Sequence, residues 1–136
     1  MIRTISIPYY TSSMDLHVEE KNLKTVITAK TEDYVPEKSP KELIEDALEH
    51  PKLSELAKGK NKVVLVTSDH TRAVPSRLTL PILLKEIRKG NPDADIIILI
   101  ATGLHRETTE EEQRRMFGDD IVDHEKISVN HAFQNE

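Results

Sequence analysis

The chain has 136 residues, 37% hydrophobic and 32% charged, which is enough for one ordinary core and the composition of a soluble globular protein. Its 19 basic residues against 24 acidic ones give a formal net charge of -5, which argues against a nucleic-acid binder or an anionic membrane surface as partner. Cysteine is absent, so a disulfide framework, thiolate catalysis and a cysteine-ligated metal are excluded. The opening MIRTISIPYY has no long apolar run and no small-residue cleavage signal. The longest strongly apolar run, IIILIA at 96–101, is too short to span a bilayer, and a cytoplasmic location is expected.

Near the start, Ile5, Ile7 and Tyr9 alternate with polar neighbours, and Met14, Leu16 and Val18 do so again after TSS at 11–13. That period predicts a β-hairpin with one buried face. Residues 22–38 read as a linking arm, so the expected division is a hairpin and arm over 1–38 and an α/β core over 39–136. Ser39, Pro40 and Glu42 form a capping box in front of the apolar stripe Leu43, Ile44, Ala47 and Leu48. Pro51 interrupts this helix, and Leu53, Leu56 and Ala57 predict a short second one ended by Gly59. Val63 to Val66 is a continuous apolar run, as expected of a parallel strand covered on both faces. Leu80, Leu83, Leu84 and Ile87 recur at helical spacing up to Gly90. Pro81 is expected in the first turn of that helix, placing its start near residues 77–79. NPDAD is a turn, 96–101 a second buried strand, and Thr108 or Thr109 the cap of a helix that buries Met116 and Phe117 and stops at Gly118. The EEE run at 110–112 reads as a solvated helix start. Ile127 and Val129 suggest a third short strand, and no closing helix is seen in HAFQNE. The fold class expected is α/β, a Rossmann-like parallel-sheet three-layer domain with an N-terminal β-hairpin.

Two loops follow the first two strands, and both are loaded with chemistry. TSDHTRAVPS at 67–76 places Asp69, His70, Thr71 and Arg72 together, and TGLHRETT at 102–109 carries Gly103 and His105. Neighbouring parallel strands would bring both loops to one sheet edge, where open α/β sheets bind ligands. Arg72 offers a planar fork for a carboxylate or phosphate. His105 suits proton abstraction near neutral pH. Asp69 could orient that imidazole or Arg72, Thr71 could donate a hydrogen bond, and Gly103 permits close approach of backbone to ligand. Simpler roles compete: Asp69 and Thr71 as an Asx or ST turn, Arg72 as a surface ion pair, His70 as a structural residue pointing away from Asp69. His17, His50, His124 and His131 show no ligand spacing, no metal site is expected, and there is no GxGxxG or GxxxxGK[ST] motif.

Asp69-His70-Thr71-Arg72 with Pro75, then Ala101-Thr102-Gly103-Leu104-His105-Arg106 before an acidic helix, resemble the amino-terminal domain of the nickel-dependent lactate racemase family. The resemblance extends over essentially the whole chain. It departs at Ala73, where many relatives carry proline. It implies an isomerase acting on lactate or a related 2-hydroxy acid, with hydride passed to a nickel-pincer mononucleotide and one histidine on each side of the substrate. It implies His105 as one of those histidines, Asp69 as the residue that orients the catalytic pair, and Arg72 as the residue that binds substrate or steadies that histidine. The family's second histidine, cofactor-bearing lysine and nickel-ligating histidine belong to a C-terminal domain beyond position 136. Lys126 and His131 fall too early to replace them. The isolated chain is therefore expected to be inactive and to carry no nickel. Two other readings stay open: a small-anion or nucleotide-phosphate binding module without catalysis, and a purely structural domain.

Overall fold

The computed structural model describes residues 1–29, 31, 33–48 and 52–131. Its contacts divide into two compact units, Met1–Pro36 and Glu37–Glu136.

In the first unit, β1 (Ile2–Tyr9) and β2 (Ser12–Glu19) pair antiparallel, with Ile5 opposite Leu16 and Ile7 opposite Met14. The turn consists of Tyr10 and Thr11 rather than residues 11–13. Tyr10 takes φ 52, in the left-handed region that two-residue hairpin turns require, and Ser12 and Ser13 join the strand. The expected buried face does not form: Ile7, Met14 and Leu16 are exposed, and only Ile5 and Val18 are half-buried. Two strands alone have no second layer to cover an apolar side. After a short 3-10 turn, Glu20–Asn22, the described part of the arm contains no further helix or strand.

The second unit opens with α1 (Pro40–Ala47), whose start is set by the expected capping box. The Glu42 backbone N–H donates to the Ser39 hydroxyl at 3.3 Å, and the Ser39 N–H donates to the Glu42 carboxylate at 2.8 Å. Its stripe is only partly used, with Ile44 and Leu48 half-buried and Leu43 exposed. Pro51 and His50 lie outside the described residues. α2 (Leu53–Ala57) is followed by Gly59 at φ 67.

Three parallel strands, β3 (Lys62–Ser68), β4 (Asp95–Ala101) and β5 (Lys126–Val129), pair in the order β3-β4-β5. Register pairs Val63 with Ile96, Leu65 with Ile98 and Thr67 with Ile100, and sets Ile127 and Val129 beside Ile98 and Ile100. These side chains share one face because side chains alternate along a strand. The core forms on that face, where the isoleucines of β4 meet Leu80, Leu84 and Ile87 of α3 (Ser76–Gly90), Phe117 of α4 (Glu110–Phe117) and Ile121 of α5 (Asp119–His124). The opposite face is open on β3, with Val66 68% exposed. The apolar run of β3 is thus covered on one face, not on both. The α/β class, the parallel sheet and the hairpin are as expected, and the described residues supply the sheet and one helical layer of the three.

α3 begins one residue before the expected start, and this moves Pro81 out of the first turn into the helix interior. The cause is Ser76, 2% exposed, whose hydroxyl meets that of Thr67 at 3.1 Å and ties the first turn to the end of β3. α5, immediately after Gly118, is an element that the sequence pattern did not suggest; it buries Ile121. The calls on the last five residues lie outside the described region. Among the described residues no helix is long and apolar enough to cross a membrane.

Gly90 is the last residue of α3, as expected, and glycine is needed there for close approach rather than for a left-handed cap. A Cβ at Gly90 would lie 1.9 Å from the Ser54 carbonyl oxygen of α2. Alanine ordinarily stabilises a helix interior by about 1 kcal/mol over glycine. A clash with backbone outweighs that gain, so Gly90→Ala is expected to destabilise the chain by about 1–3 kcal/mol. The urea midpoint reads this out, and a midpoint equal to or above that of the parent chain would contradict it.

Candidate active site

The register that aligns the core also aligns the strand ends. Ser68 pairs with Ala101, so the loops after β3 and β4 leave the sheet side by side. Asp69, Arg72 and His105 line one cleft of about 380 Å³ together with Ser68, Thr102 and Gly103. A larger groove of about 440 Å³ beside α3 is lined largely by lysine and glutamate, with no histidine among the described residues.

Asp69 is 2% exposed, and a buried carboxylate must be satisfied by donors. Thr71 supplies two to Oδ1: its backbone N–H at 3.0 Å and its hydroxyl at 2.6 Å. This is the Asx turn that the simpler reading foresaw, and the Arg72 N–H closes the same turn onto the Asp69 carbonyl at 3.3 Å. It occupies one carboxylate oxygen and leaves the other for a distant partner. Oδ2 lies 2.5 Å from His105 Nδ1. The two uses of Asp69 are therefore compatible.

Gly103 makes the second half possible. Its φ of 57 turns the chain so that the His105 N–H donates to the Thr102 carbonyl at 3.0 Å. Open space surrounds the position of a Cβ, so backbone conformation rather than room is what glycine provides there. Thr102, 3% exposed, anchors the turn by donating its hydroxyl to the Asn130 carbonyl at 2.8 Å.

Electrostatics follow from these bonds. The Thr71 hydroxyl, aided by His105, lowers the Asp69 carboxyl from 3.8 to about 2 even though burial acts in the opposite direction. An ionised carboxylate can only accept, so the shared proton sits on His105 Nδ1. His105 Nε2 has no hydrogen-bond partner among the described residues, and the side chain is 47% exposed. The arrangement is that of a positioned imidazole base. The Arg72 guanidinium, at the same cleft, is exposed and has no ion pair among the described residues. It is available to an anion.

All five site residues singled out by sequence thus border one another: His105, Asp69 and Thr71 bond directly, while Arg72 and Gly103 line the cleft around them. His70 is turned away from Asp69, as expected. Sequence reasoning missed its partners, Thr108 and Glu112. The signal was present in the capping box that Thr109 and Glu112 complete at the start of α4.

A parallel α/β domain that gathers an Asp–His pair and an arginine, without an ion pair among the described residues, at the carboxyl ends of its strands is the class of protein that the fold defines. The lactate racemase N-terminal domain profile matches residues 9–136, and the chain belongs to that family. It is 42% identical over 136 residues to a lactate racemase of Thermoanaerobacterium thermosaccharolyticum, a match covering 97% of this chain and 32% of the relative. It is 40% identical to the lactate racemase of Lactiplantibacillus plantarum, covering 90% of this chain and 30% of that protein. The solved lactate racemase apoprotein from T. thermosaccharolyticum superposes with a TM-score of 0.81 at 41% identity, over 95% of this chain and 30% of that one. The chain therefore spans about a third of the length of these relatives.

The lowered Asp69 carboxyl has a consequence for stability. A carboxyl with a depressed folded value contributes stability that is complete above 3.8 and is lost as pH falls toward about 2. Asp69→Asn should remove that contribution, so unfolding free energy should fall less steeply for the variant between those two pH values. Identical slopes for parent and variant in that window would contradict the Asp69 hydrogen bonds.

Proposed function

We propose that this chain supplies one wall of the active site of a racemase or epimerase that interconverts enantiomers of lactate or a related 2-hydroxy acid. The observation that carries the reading is the Asp69–His105 hydrogen bond, which holds the imidazole by Nδ1 and leaves Nε2 as the base. Nε2 takes the hydroxyl proton as the substrate is oxidised at Cα and returns it when Cα is reduced again. Asp69 stays ionised and stabilises the imidazolium formed in between. Arg72 pairs with the substrate carboxylate, a geometry for which a guanidinium fork is suited.

The hydrogen on Cα needs an acceptor, and the resemblance implies a nickel-pincer mononucleotide for that purpose. The residues here do not fit as its holders: among the described residues no group of three His, Asp or Glu could hold a metal, and the chain has no cysteine. What this chain contributes is the base, its orienting carboxylate and the anion-binding cation. The remaining length of the relatives is where a second domain and the cofactor would belong, and the cytoplasm is the proposed compartment. A second reading, anion binding without turnover, is favoured by the unpaired Arg72 alone.

Two measurements separate them. Lactate raised to tens of millimolar, roughly the range of a weak site, should shift the NMR signals of residues 69–72 and 103–105 in the isolated chain. Arg72→Ala should abolish these shifts through loss of a charge-assisted hydrogen bond. For catalysis, this chain can replace the matching segment of the T. thermosaccharolyticum relative. The chimera should racemise lactate, and His105→Ala should lower its turnover about 10²–10⁴-fold with cofactor loading unchanged. Near-parental turnover of that variant at full loading would remove His105 from the reaction and leave anion binding as the better account.

A further inference from the structure

We propose that His70 is a positioning residue: a latch that ties the loop after β3 to the start of α4 and so sets the Asp69–His105 distance. The proposal rests on the site reading above but concerns a residue to which that reading gives no task. Its motivation is a mechanical question. Asp69 and His105 lie on separate loops, 36 positions apart in sequence, and their 2.5 Å hydrogen bond closes the gap between them. That bond changes strength whenever His105 gains or loses a proton, so a separation set by it and the 3.4 Å Thr71–His105 contact alone would vary through each turnover.

A second tie exists on the other side of the chain. Where Asp69 points to His105, its neighbour His70 points to α4: His70 Nδ1 lies 3.2 Å from the Thr108 hydroxyl and 3.7 Å from the Glu112 carboxylate. Both imidazole and carboxylate are largely enclosed, each with a side-chain exposure of 14%. The receiving end is rigid. Thr108 is 3% exposed, and its carbonyl accepts from the Gln113 side chain at 3.1 Å. Glu112 accepts both terminal nitrogens of Arg106, at 2.9 and 2.7 Å, and also the Thr109 backbone N–H at 2.9 Å. The Arg106 guanidinium holds the Glu112 carboxyl well below its usual range, so the acceptor stays charged. Arg106 directly follows His105 in the chain. The loop bearing His105 is thereby fastened to the same helix start that receives His70, and the two loops share one anchor.

The readout is the hydrogen bond itself. In the 136-residue chain, NMR of the imidazole groups should show a downfield His105 Nδ1–H signal protected from exchange with water. Asp69→Asn should abolish it and so assigns it. His70→Ala should speed its exchange about tenfold, the effect of losing roughly one net hydrogen bond, with the methyl signals of Ile98 and Ile100 unmoved. Thr108→Val should do the same without touching His70, which covers the case of a poorly folded His70→Ala protein. His70→Asn should restore protection, because the asparagine amide can occupy the place of Nδ1. Parental exchange rates in both His70→Ala and Thr108→Val would overturn the latch while leaving the Asp69–His105 pair intact. A parental chain with no protected signal, or one whose signal survives Asp69→Asn, would overturn the pair and the latch together.

Discussion

A buried carboxylate at the end of a parallel strand is the constraint on which this site depends. Asp69 is nearly inaccessible to water, so its charge persists only while Thr71 and His105 donate to it. Satisfying that one group folds the loop back on itself, draws the second loop against it and selects the imidazole tautomer. A structural requirement and a chemical one are met by the same three residues. This is why the turn reading and the functional reading of Asp69 do not compete.

The sheet makes this meeting possible at no extra cost. Ile96, Ile98 and Ile100 must face the core, and burying such a side chain stabilises by about 1.5–3 kcal/mol each. A slip of one residue would turn all three outward. The register that prevents the slip also places Ser68 beside Ala101, and so brings the two loops out at the same height. Core packing and site assembly are two outcomes of one alignment.

Other parts of the chain are less complete by themselves. The hairpin pairs in good register yet exposes Ile7, Met14 and Leu16, and the outer face of β3 exposes Val64 and Val66. Each carries the apolar pattern of a covered surface, and neither is covered from within its own unit among the described residues. The relatives are about three times as long as the matched segment.

Much of this was legible in the sequence because its causes are local. Capping boxes at Ser39 and Thr109, glycine after the short second helix, apolar runs for β3 and β4 and the chemistry of the two loops each depend on neighbours within a few positions. Tertiary structure decided what local pattern leaves open. It buried one face of β3 rather than two, started α3 at Ser76 through the contact with Thr67, and required Gly90 because a carbonyl of α2 lies against it. It also chose the partners of Asp69 and His70, which lie 36 and 38 positions away. The sequence by itself determined which groups could react; only the parallel register determined which of them touch, because a strand pairing joins distant residues that no local rule relates.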